Sequence, residues 1–244
     1  MTDQKVALVT GGSRGIGAAI STRLAKDGFT VIVNYAGNTV AADKVVSEIK
    51  TAGGHALAMQ VNVADADAVH QMFDDIEATY GQVDVLVNSA GILKLAPLAE
   101  SDASLVDTQI DINLKGSINT MREAANRLRD GGRIINFSTS VVGMKLETYG
   151  IYAATKAAIE TLGAILAKEL RGRAITVNSV APGPTSTDLF LEGKSDEVIE
   201  RLAKMPPLER LGTPEDIAHV VAFLASTEGG WINGQTIRAN GGLV

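Results

Sequence analysis

The chain has 244 residues, a length that suits one large α/β domain or two small ones, and 45% of them are hydrophobic while 4% are aromatic. The formal net charge of −6 argues against nucleic acid or an anionic membrane as the main partner. Cysteine is absent, which excludes disulfides and thiolate catalysis. His55, His70 and His219 are scattered without metal-ligand spacing, so no metal site is expected.

The amino-terminal residues Met1–Lys5 are too few and too polar for a signal peptide, and they lead directly into an apolar strand. No apolar run approaches the length of a membrane span. The chain also lacks internal repeats, low-complexity tracts and linkers. We therefore expect a single cytoplasmic domain, residues 1–244, that does not use a membrane as a partner.

Apolar runs alternate with helical segments along the whole chain. The predicted strands are Val6–Thr10, Thr30–Asn34, Ala56–Val63, Val83–Val87, Arg133–Phe137, Ala174–Val180 and Gln235–Arg238. The predicted helices are Ala18–Asp27, Thr39–Ala52, Asp65–Tyr80, Leu105–Arg129, Ile151–Leu170, Ser195–Lys204 and Thr213–Leu224. This alternation predicts an α/β fold, a single-domain Rossmann-type doubly wound parallel sheet of about seven strands with helices on both faces.

A glycine-rich turn, Gly11-Gly12-Ser13-Arg14-Gly15-Ile16-Gly17, follows the first strand and opens a helix. The order strand, glycine-rich turn, helix presents backbone N–H groups to a phosphate. The spacing is Gly-x3-Gly-x-Gly rather than the commoner Gly-x-Gly-x-x-Gly. Because both flanking elements fit, we favour nucleotide binding over a plain tight turn.

Tyr152 and Lys156 lie four residues apart in a predicted helix, so their side chains share one face. A fixed cation beside a phenol lowers the phenol pKa from its ordinary value of about 10. A phenol tuned toward neutral pH can act as a general acid or base. The pair alone does not distinguish this arrangement from a core tyrosine beside a solvated lysine.

Taken together, the motifs resemble those of the classical short-chain dehydrogenase/reductase family over nearly the whole chain. The motifs are Thr10-Gly11-x3-Gly15-x-Gly17, Asn88-x-Ala90-Gly91, Asn113, a hydroxyl after the fifth strand, Tyr152-x3-Lys156 and Pro182-Gly183. Within the family the chain looks most similar to bacterial 3-oxoacyl-acyl-carrier-protein reductases and fungal naphthol-type reductases. The resemblance implies that Tyr152 donates a proton to a carbonyl, Lys156 lowers the pKa of Tyr152 and holds the nicotinamide ribose, and Asn113 anchors a water relay to Lys156.

The catalytic hydroxyl that the resemblance implies has two candidates. The family's hydroxyl stands thirteen residues before the tyrosine, a position that Thr139 occupies here. Alignment on the following Val141-Val142-Gly143 would choose Ser140 instead. We favour Thr139 because it fits the ungapped spacing and carries a hydroxyl, although its methyl group restricts χ1. Ser140 is kept as the alternative.

The expected cofactor is NADP(H) rather than NAD(H). An NAD-selective site usually carries an acidic residue after the second strand, but the sequence there is Asn34-Tyr35-Ala36-Gly37-Asn38. Arg14 could meet a 2′-phosphate, or it could simply face solvent. Asn62 stands where the family usually has the adenine-binding aspartate. The expected cofactor-binding residues are Gly11, Ser13, Arg14, Gly15, Ile16, Gly17, Asn34, Tyr35, Ala36, Asn38, Asn62, Val63, Asn88, Ala90, Gly91, Tyr152, Lys156, Pro182, Gly183, Pro184, Thr185 and Thr187.

The substrate is expected to be an apolar or amphipathic ketone or acyl thioester. The expected pocket residues are Leu93, Met144, Leu146, Phe190 and Leu191, the last two from a substrate loop at about 184–205. An acyl carrier protein is acidic, so its binding would need a basic patch, of which Arg171 and Arg173 form a part while Asp130 opposes it. The family is usually tetrameric, and small residues such as Ala157 and Ala164 suit close helix packing between subunits or within one.

The leading interpretation is an NADPH-dependent oxidoreductase that reduces a ketone to a secondary alcohol, similar to 3-oxoacyl-acyl-carrier-protein reductase. An alcohol or sugar dehydrogenase of the same family, working oxidatively, is the alternative among enzymes. A protein that binds NADP(H) as a sensor, without turnover, is the alternative outside enzymes. Such sensors typically lose the tyrosine or the lysine, and this chain has both Tyr152 and Lys156.

Overall fold

The computed structural model describes residues 4–244, so Met1–Asp3, on which part of the signal-peptide expectation rests, lie outside the described residues. Seven parallel strands form one sheet in the order β3-β2-β1-β4-β5-β6-β7. The strands are β1 (Val6–Thr10), β2 (Thr30–Tyr35), β3 (His55–Gln60), β4 (Val85–Asn88), β5 (Arg133–Phe137), β6 (Thr176–Pro182) and β7 (Thr236–Ala239). The predicted doubly wound parallel sheet is confirmed.

Ten α-helices of the described chain surround this sheet. They are α1 (Gly15–Lys26), α2 (Thr39–Thr51), α3 (Ala66–Tyr80), α4 (Ala103–Gln109), α5 (Gly116–Arg127), α6 (Val141–Met144), α7 (Gly150–Glu169), α8 (Asp188–Leu191), α9 (Asp196–Ala203) and α10 (Pro214–Ala225). Short 3₁₀ turns occur at Leu98–Glu100 and Glu228–Trp231. Within residues 4–244, none of the helices is both long and apolar enough to cross a membrane.

Two apolar layers pack on the two faces of the sheet. Along β1, Ala7 and Val9 face the layer formed with α1, α2 and α10, whereas Val6 and Leu8 face the layer formed with α3, α5 and α7. This split follows from the two-residue period of a strand, and both faces are apolar because helices cover both. Phe73 of α3 is fully buried in the second layer.

The order of the strands reverses between β1 and β4, because β2 and β3 extend to one side and β5, β6 and β7 to the other. In open parallel sheets the crevice at such a switch point, outside the carboxyl ends of the strands, binds ligands. Thr10 of β1 pairs with Asn88 of β4, which pairs with Asn136 of β5. The turns that follow these strands therefore meet at one edge.

Capping residues set several helix boundaries as the sequence predicts. The Thr213 side chain accepts a hydrogen bond from the Asp216 N–H, the Asp216 side chain accepts one from the Thr213 N–H, and Pro214 is the first helical residue of α10. Asp65 caps α3 in a similar way, accepting from the N–H groups of Asp67 and Ala68.

The helix predicted over Leu105–Arg129 is present as a continuous helical run over 103–127, but it is not a regular α-helix throughout. The structure has α4, then a wide π-helical turn at Ile110–Lys115, then α5. Such turns are rare and often occur at functional sites. Helix propensity does not reveal this turn, because the contacts that accompany it, from Asn113 to the main chain of Ile92, cross to a distant loop.

Other boundaries differ from the predicted ones by a few residues. The third strand ends at Gln60 rather than Val63, because Asn62 turns the chain by accepting a hydrogen bond from the Ala64 N–H. The sixth strand runs to Pro182 rather than Val180. The short helices α6 and α8 were not predicted.

Candidate active site

A cavity of about 530 Å³ lies at the carboxyl edge of the sheet, where the turns after strands β1 to β6 meet. It is lined by nearly all the residues predicted to bind the cofactor or take part in catalysis. Asn88 and Asn113 are the exceptions, since neither contributes to the lining. The sequence motifs, which are distant in the chain, therefore meet in one space.

The glycine-rich turn forms a tightly packed cradle at one end of the cavity. Gly11 and Gly15 have φ values of +63° and +50°, which favour glycine. A Cβ at Gly17 would lie 2.2 Å from the main-chain oxygen of Gly11, and a Cβ at Gly11 would lie 2.8 Å from the Cα of Ala90. Because α1 begins at Gly15, its amino-terminal N–H groups lie beside the cavity, an arrangement that fits the phosphates of a dinucleotide.

The side chains after β2 are polar and uncharged. Asn34 is buried and donates to the main-chain oxygens of Met59, at 3.3 Å, and Val61, at 3.0 Å. Asn38 accepts from the N–H of Ala41 and caps α2. Arg14 is exposed and lines the cavity on the same side. A cation is thus available near this end of the cavity, and the turn after β2 supplies no carboxylate.

Tyr152 and Lys156 both lie on α7 and line the cavity. The Lys156 Nζ lies 5.8 Å from the centre of the Tyr152 ring and donates to the main-chain oxygen of Phe137 at 3.0 Å. Burial lowers the pKa of Lys156 to about 8. The lysine is therefore anchored at the end of β5 and faces the tyrosine.

In this structure the pKa of Tyr152 is raised rather than lowered, and the role expected for Lys156 stays a prediction. Burial raises the pKa of Tyr152 to about 12, because removal from water penalises the phenolate. A hydrogen bond with Thr139 acts in the opposite direction and is outweighed. The phenol therefore stays protonated at neutral pH, while Lys156 is charged below its pKa of about 8.

The two candidate hydroxyls point in different directions. Thr139 lines the cavity together with Tyr152, and its hydroxyl acts to lower the pKa of that tyrosine. Ser140 is 2% exposed, donates through Oγ to the main-chain oxygen of Ala181 at 3.3 Å and accepts from Asn240 at 3.0 Å. The hydroxyl that is directed at the tyrosine is thus that of Thr139, and the Ser140 hydroxyl is occupied elsewhere.

Asn113 is fully buried in the π-helical turn and clamps the loop after β4. Its Oδ1 accepts from the N–H of Ile92 at 2.8 Å, and its Nδ2 donates to the main-chain oxygen of Ile92 at 3.0 Å. A Cβ at Gly91 would lie 3.2 Å from the Asn113 Oδ1 and 3.5 Å from the Lys156 Nζ. Asn113 and Lys156 are therefore close neighbours, separated by a glycine.

Asn88 does not reach the cavity, which corrects the expectation that it contacts a cofactor. Its Nδ2 donates to the Oδ1 of Asn136 at 2.9 Å, and its Oδ1 accepts from the hydroxyl of Thr120 at 2.6 Å. These buried hydrogen bonds join β4 to β5 and α5. Asn88 therefore supports the sheet beneath the cavity.

Apolar and aromatic side chains line the other end of the cavity. Of the predicted pocket residues, Leu93, Met144, Leu146 and Phe190 line it and Leu191 does not. The Tyr149 ring lies 6.4 Å from the Tyr152 ring in an edge-on arrangement. Lining residues outside the predicted sets include Val61, Ser89, Ile92, Ile112, Phe137, Ser138 and Val141. Asp188, Leu189 and Leu202 also line the cavity and lie within the expected substrate loop at about 184–205, although they were not named individually.

A model of the family described as enoyl-(acyl carrier protein) reductase matches residues 11–244. A short-chain type dehydrogenase/reductase from Picea abies is 45% identical, covering 98% of this chain and 92% of the relative. NADPH-dependent aldehyde reductase 2, chloroplastic, from Arabidopsis thaliana is 44% identical, covering 98% and 94%. The 3-oxoacyl-[acyl-carrier-protein] reductase FabG of Staphylococcus aureus is 44% identical and covers 98% of both chains.

Solved structures of short-chain dehydrogenases share the fold of this chain. A short-chain dehydrogenase/reductase from Serratia marcescens superposes with a TM-score of 0.93 at 37% identity, covering 98% of this chain and 97% of the other. A short chain dehydrogenase from Burkholderia cenocepacia, crystallised with NADP, gives 0.92 at 36% identity with the same coverage. On the match of the family model, the relatives and the fold, the chain belongs to the short-chain dehydrogenase/reductase family.

Proposed function

We propose that this protein is an NADPH-dependent reductase that converts a ketone or aldehyde to an alcohol. The observation that carries the proposal is that Tyr152, Thr139 and Lys156 line the same cavity as the glycine-rich turn at the start of α1. One end of the cavity fits a dinucleotide and the other is apolar. The protonated phenol and the hydroxyl lie between them.

NADP(H) fits the cradle that the glycines form. Backbone N–H groups of the turn after β1 would hold the phosphates, and Arg14 would meet the 2′-phosphate. Asn62 and Val63 would lie at the adenine, and the segment Pro182–Thr187 at the nicotinamide. The plant relative that is named as NADPH-dependent and the neighbour crystallised with NADP support the same cofactor. Bound NADPH supplies a hydride to the carbonyl carbon.

The residues of the chain stabilise the charge that grows on the substrate oxygen. Tyr152, whose pKa burial raises to about 12, stays protonated at neutral pH and donates its proton to that oxygen. The Thr139 hydroxyl donates a hydrogen bond to the same atom. Lys156, charged below its pKa of about 8, holds the ribose and offsets the negative charge that remains on Tyr152.

Reprotonation of Tyr152 requires a path to water. We assign this path to the water relay between Asn113 and Lys156. The missing side chain of Gly91 leaves space between these two residues. Because both polar atoms of the Asn113 side chain bind Ile92, the relay would depend on Asn113 to hold the loop in place.

The apolar end of the cavity supports a neutral, apolar or amphipathic carbonyl compound. A carrier-bound acyl thioester is less well supported. The Arg173 side chain hydrogen-bonds to Asp130 and to the main-chain oxygens of Ala125 and Leu128. Arg173 is thus largely occupied within its own subunit, which weakens the basic patch that an acidic carrier protein would need. A β-ketoacyl thioester stays among the compounds to test because of the identity with the staphylococcal enzyme.

The tyrosine that donates a proton in reduction accepts one in oxidation, so Tyr152 would serve either direction. The relatives from Arabidopsis thaliana and Staphylococcus aureus, both named as reductases, support reduction over the oxidative alternative. A sensor without turnover is disfavoured because Thr139, Tyr152 and Lys156 all reach the cavity.

We also propose that the protein assembles as a homotetramer. Large apolar side chains are exposed on α7 and after α10, with Ile165 48% and Trp231 98% exposed. Phe223 on α10 is 43% exposed. Covering these side chains with further copies of the chain would remove apolar area from water.

Turnover should be measured as NADPH oxidation at 340 nm with a panel of aliphatic and aromatic ketones, aldehydes and a β-ketoacyl thioester. We expect Tyr152→Phe to lower kcat at least about 100-fold, because the proton donor is lost. The NADPH Kd should change little. Tyr149→Phe, the matched control from the same cavity, should keep kcat within about tenfold.

Retained turnover in Tyr152→Phe would remove the proposed mechanism. Absence of turnover by the unaltered protein on the entire panel, together with tight NADPH binding, would instead establish the sensor. Turnover confined to the oxidation of alcohols would establish the oxidative dehydrogenase.

The preference for NADPH should depend on Arg14. The unaltered enzyme should show a much higher kcat/KM with NADPH than with NADH, and Arg14→Ala should narrow the gap by about tenfold, as expected for loss of one charge-assisted contact. Arg23→Ala serves as the control, because Arg23 lies on the same helix but pairs with Asp27. Equal use of both cofactors by the unaltered enzyme would contradict the assignment.

The affinity for NADPH should fall as the pH rises through about 8, the pKa of Lys156. Below this pH the ammonium makes charge-assisted hydrogen bonds, and above it a neutral amine makes weaker ones, a difference of about fivefold in Kd. Lys156→Met should bind more weakly and show no such step between pH 7 and about 9.5. A step of equal size in that variant would show that another group titrates.

Sedimentation velocity should give a species whose mass is four times the 25.5 kDa of one chain. We expect Ile165→Glu to yield smaller species, because a charge at a buried contact is costly. Val40→Glu is the control, since Val40 is 82% exposed on α2, away from the proposed contact. A monomer at micromolar concentration would refute the tetramer.

A further inference from the structure

Asn240 follows β7 and is a buried amide whose polar atoms are all engaged. Its Nδ2 donates to the Ser140 Oγ at 3.0 Å and to the main-chain oxygen of Val244 at 3.2 Å. Its Oδ1 accepts from the N–H groups of Gly242, at 3.0 Å, and Leu243, at 3.2 Å. Because an amide has two N–H donors and two acceptor positions, these contacts fix both the place and the orientation of the side chain.

Ser140, the residue next to Thr139, is held from two directions. Its N–H donates to the main-chain oxygen of Pro182 at 2.9 Å, and its Oγ donates to that of Ala181 at 3.3 Å. From the opposite direction it accepts the hydrogen bond of Asn240. Anchoring Ser140 fixes the backbone that carries Thr139.

The segment Asn240–Val244 packs closely against the turns after β5 and β6. A Cβ at Gly183 would lie 2.8 Å from the Asn240 Cα, and a Cβ at Gly143 would lie 3.1 Å from the Val244 Cγ2. The Gly183 N–H donates to the main-chain oxygen of Ala239 at 3.0 Å. This last contact involves only main-chain atoms, so it does not depend on the Asn240 side chain.

We propose that Asn240 is a positioning residue for the reduction: by holding Ser140, it keeps the Thr139 hydroxyl beside Tyr152. The proposal rests on the proposed function, because the role matters only if Thr139 meets the substrate oxygen. Without the amide, Ser140 can turn and the backbone at Thr139 can shift. A misplacement of about 1 Å at a reacting group can cost about 100-fold in rate.

Asn240→Ala should lower kcat for ketone reduction about 10- to 100-fold. The NADPH Kd should stay within about threefold, because Gly183 remains bound through the main chain. Asn240→Asp should stay impaired, because the carboxylate oxygen that replaces Nδ2 has no proton to donate to Ser140 or to the main-chain oxygen of Val244.

Asn178→Ala is the matched control. Asn178 is an equally buried amide that donates to the main-chain oxygen of Ile232 at 2.7 Å and accepts from the N–H of Gln235 at 3.0 Å, just before β7. Its loss should destabilise the protein, as loss of a buried hydrogen-bonded amide does, while kcat of the folded variant stays within about threefold.

Ser140→Ala separates action through Ser140 from a general loss of packing. It should show the same fall in kcat, and the double variant with Asn240→Ala should be no worse than the poorer single variant. If Asn240→Ala fails to fold, Ser140→Ala carries the test, because it breaks the same contact.

Three results would each overturn the positioning role. The first is an unchanged kcat in folded Asn240→Ala or in Ser140→Ala. The others are a double variant whose loss of kcat is the product of the two single losses, and a loss of kcat in Asn178→Ala as large as that in Asn240→Ala. These results require an active unaltered enzyme. A lack of turnover by that enzyme on every carbonyl compound tested is a different outcome, which overturns the proposed function and the positioning role with it.

Discussion

The arrangement of the site depends on one buried hydrogen bond, between the Lys156 Nζ on α7 and the main-chain oxygen of Phe137 at the end of β5. A buried ammonium needs a partner, because desolvation of an unpaired charge is costly. The contact ties α7 to the sheet at the point where the residues after β5 enter the cavity. Tyr152, one helical turn earlier, is thereby held next to Thr139.

A layer of buried polar side chains supports this contact from below. Asn88 hydrogen-bonds both to Asn136 and to Thr120, which joins β4 to β5 and α5 where a sheet core would normally be apolar. The Asn136 Nδ2 has no hydrogen-bond partner among the described residues. It lies 3.1 Å from where a Cβ at Gly163 would be, so the glycine in α7 makes room for it. Close approach of α7 to the sheet therefore depends on a small residue as well as on Lys156.

The sheet, its helices and the set of residues around the cavity could be predicted from the sequence, because strand periodicity, glycine turns and helical spacing are local signals. The pKa of Tyr152 could not, since it depends on how far burial outweighs a neighbouring charge, which is a property of packing. The choice between Thr139 and Ser140 depends on Asn240, one hundred residues away. The position of the Asn88 side chain could not be predicted either, because its spacing matches a cofactor motif while its hydrogen bonds lie inside the sheet.

The wide turn at Ile110–Lys115 makes this part of the molecule sensitive to chain length more than to composition. Each residue of an α-helix advances the chain by about 100° around the axis. Removing one residue from the turn would restore a regular helix and rotate everything on one side by that angle relative to the other. Asn113 would then no longer face Ile92. Homologous chains that keep Asn113 could thus exchange the other side chains of this turn, whereas a single-residue deletion would dismantle the loop clamp.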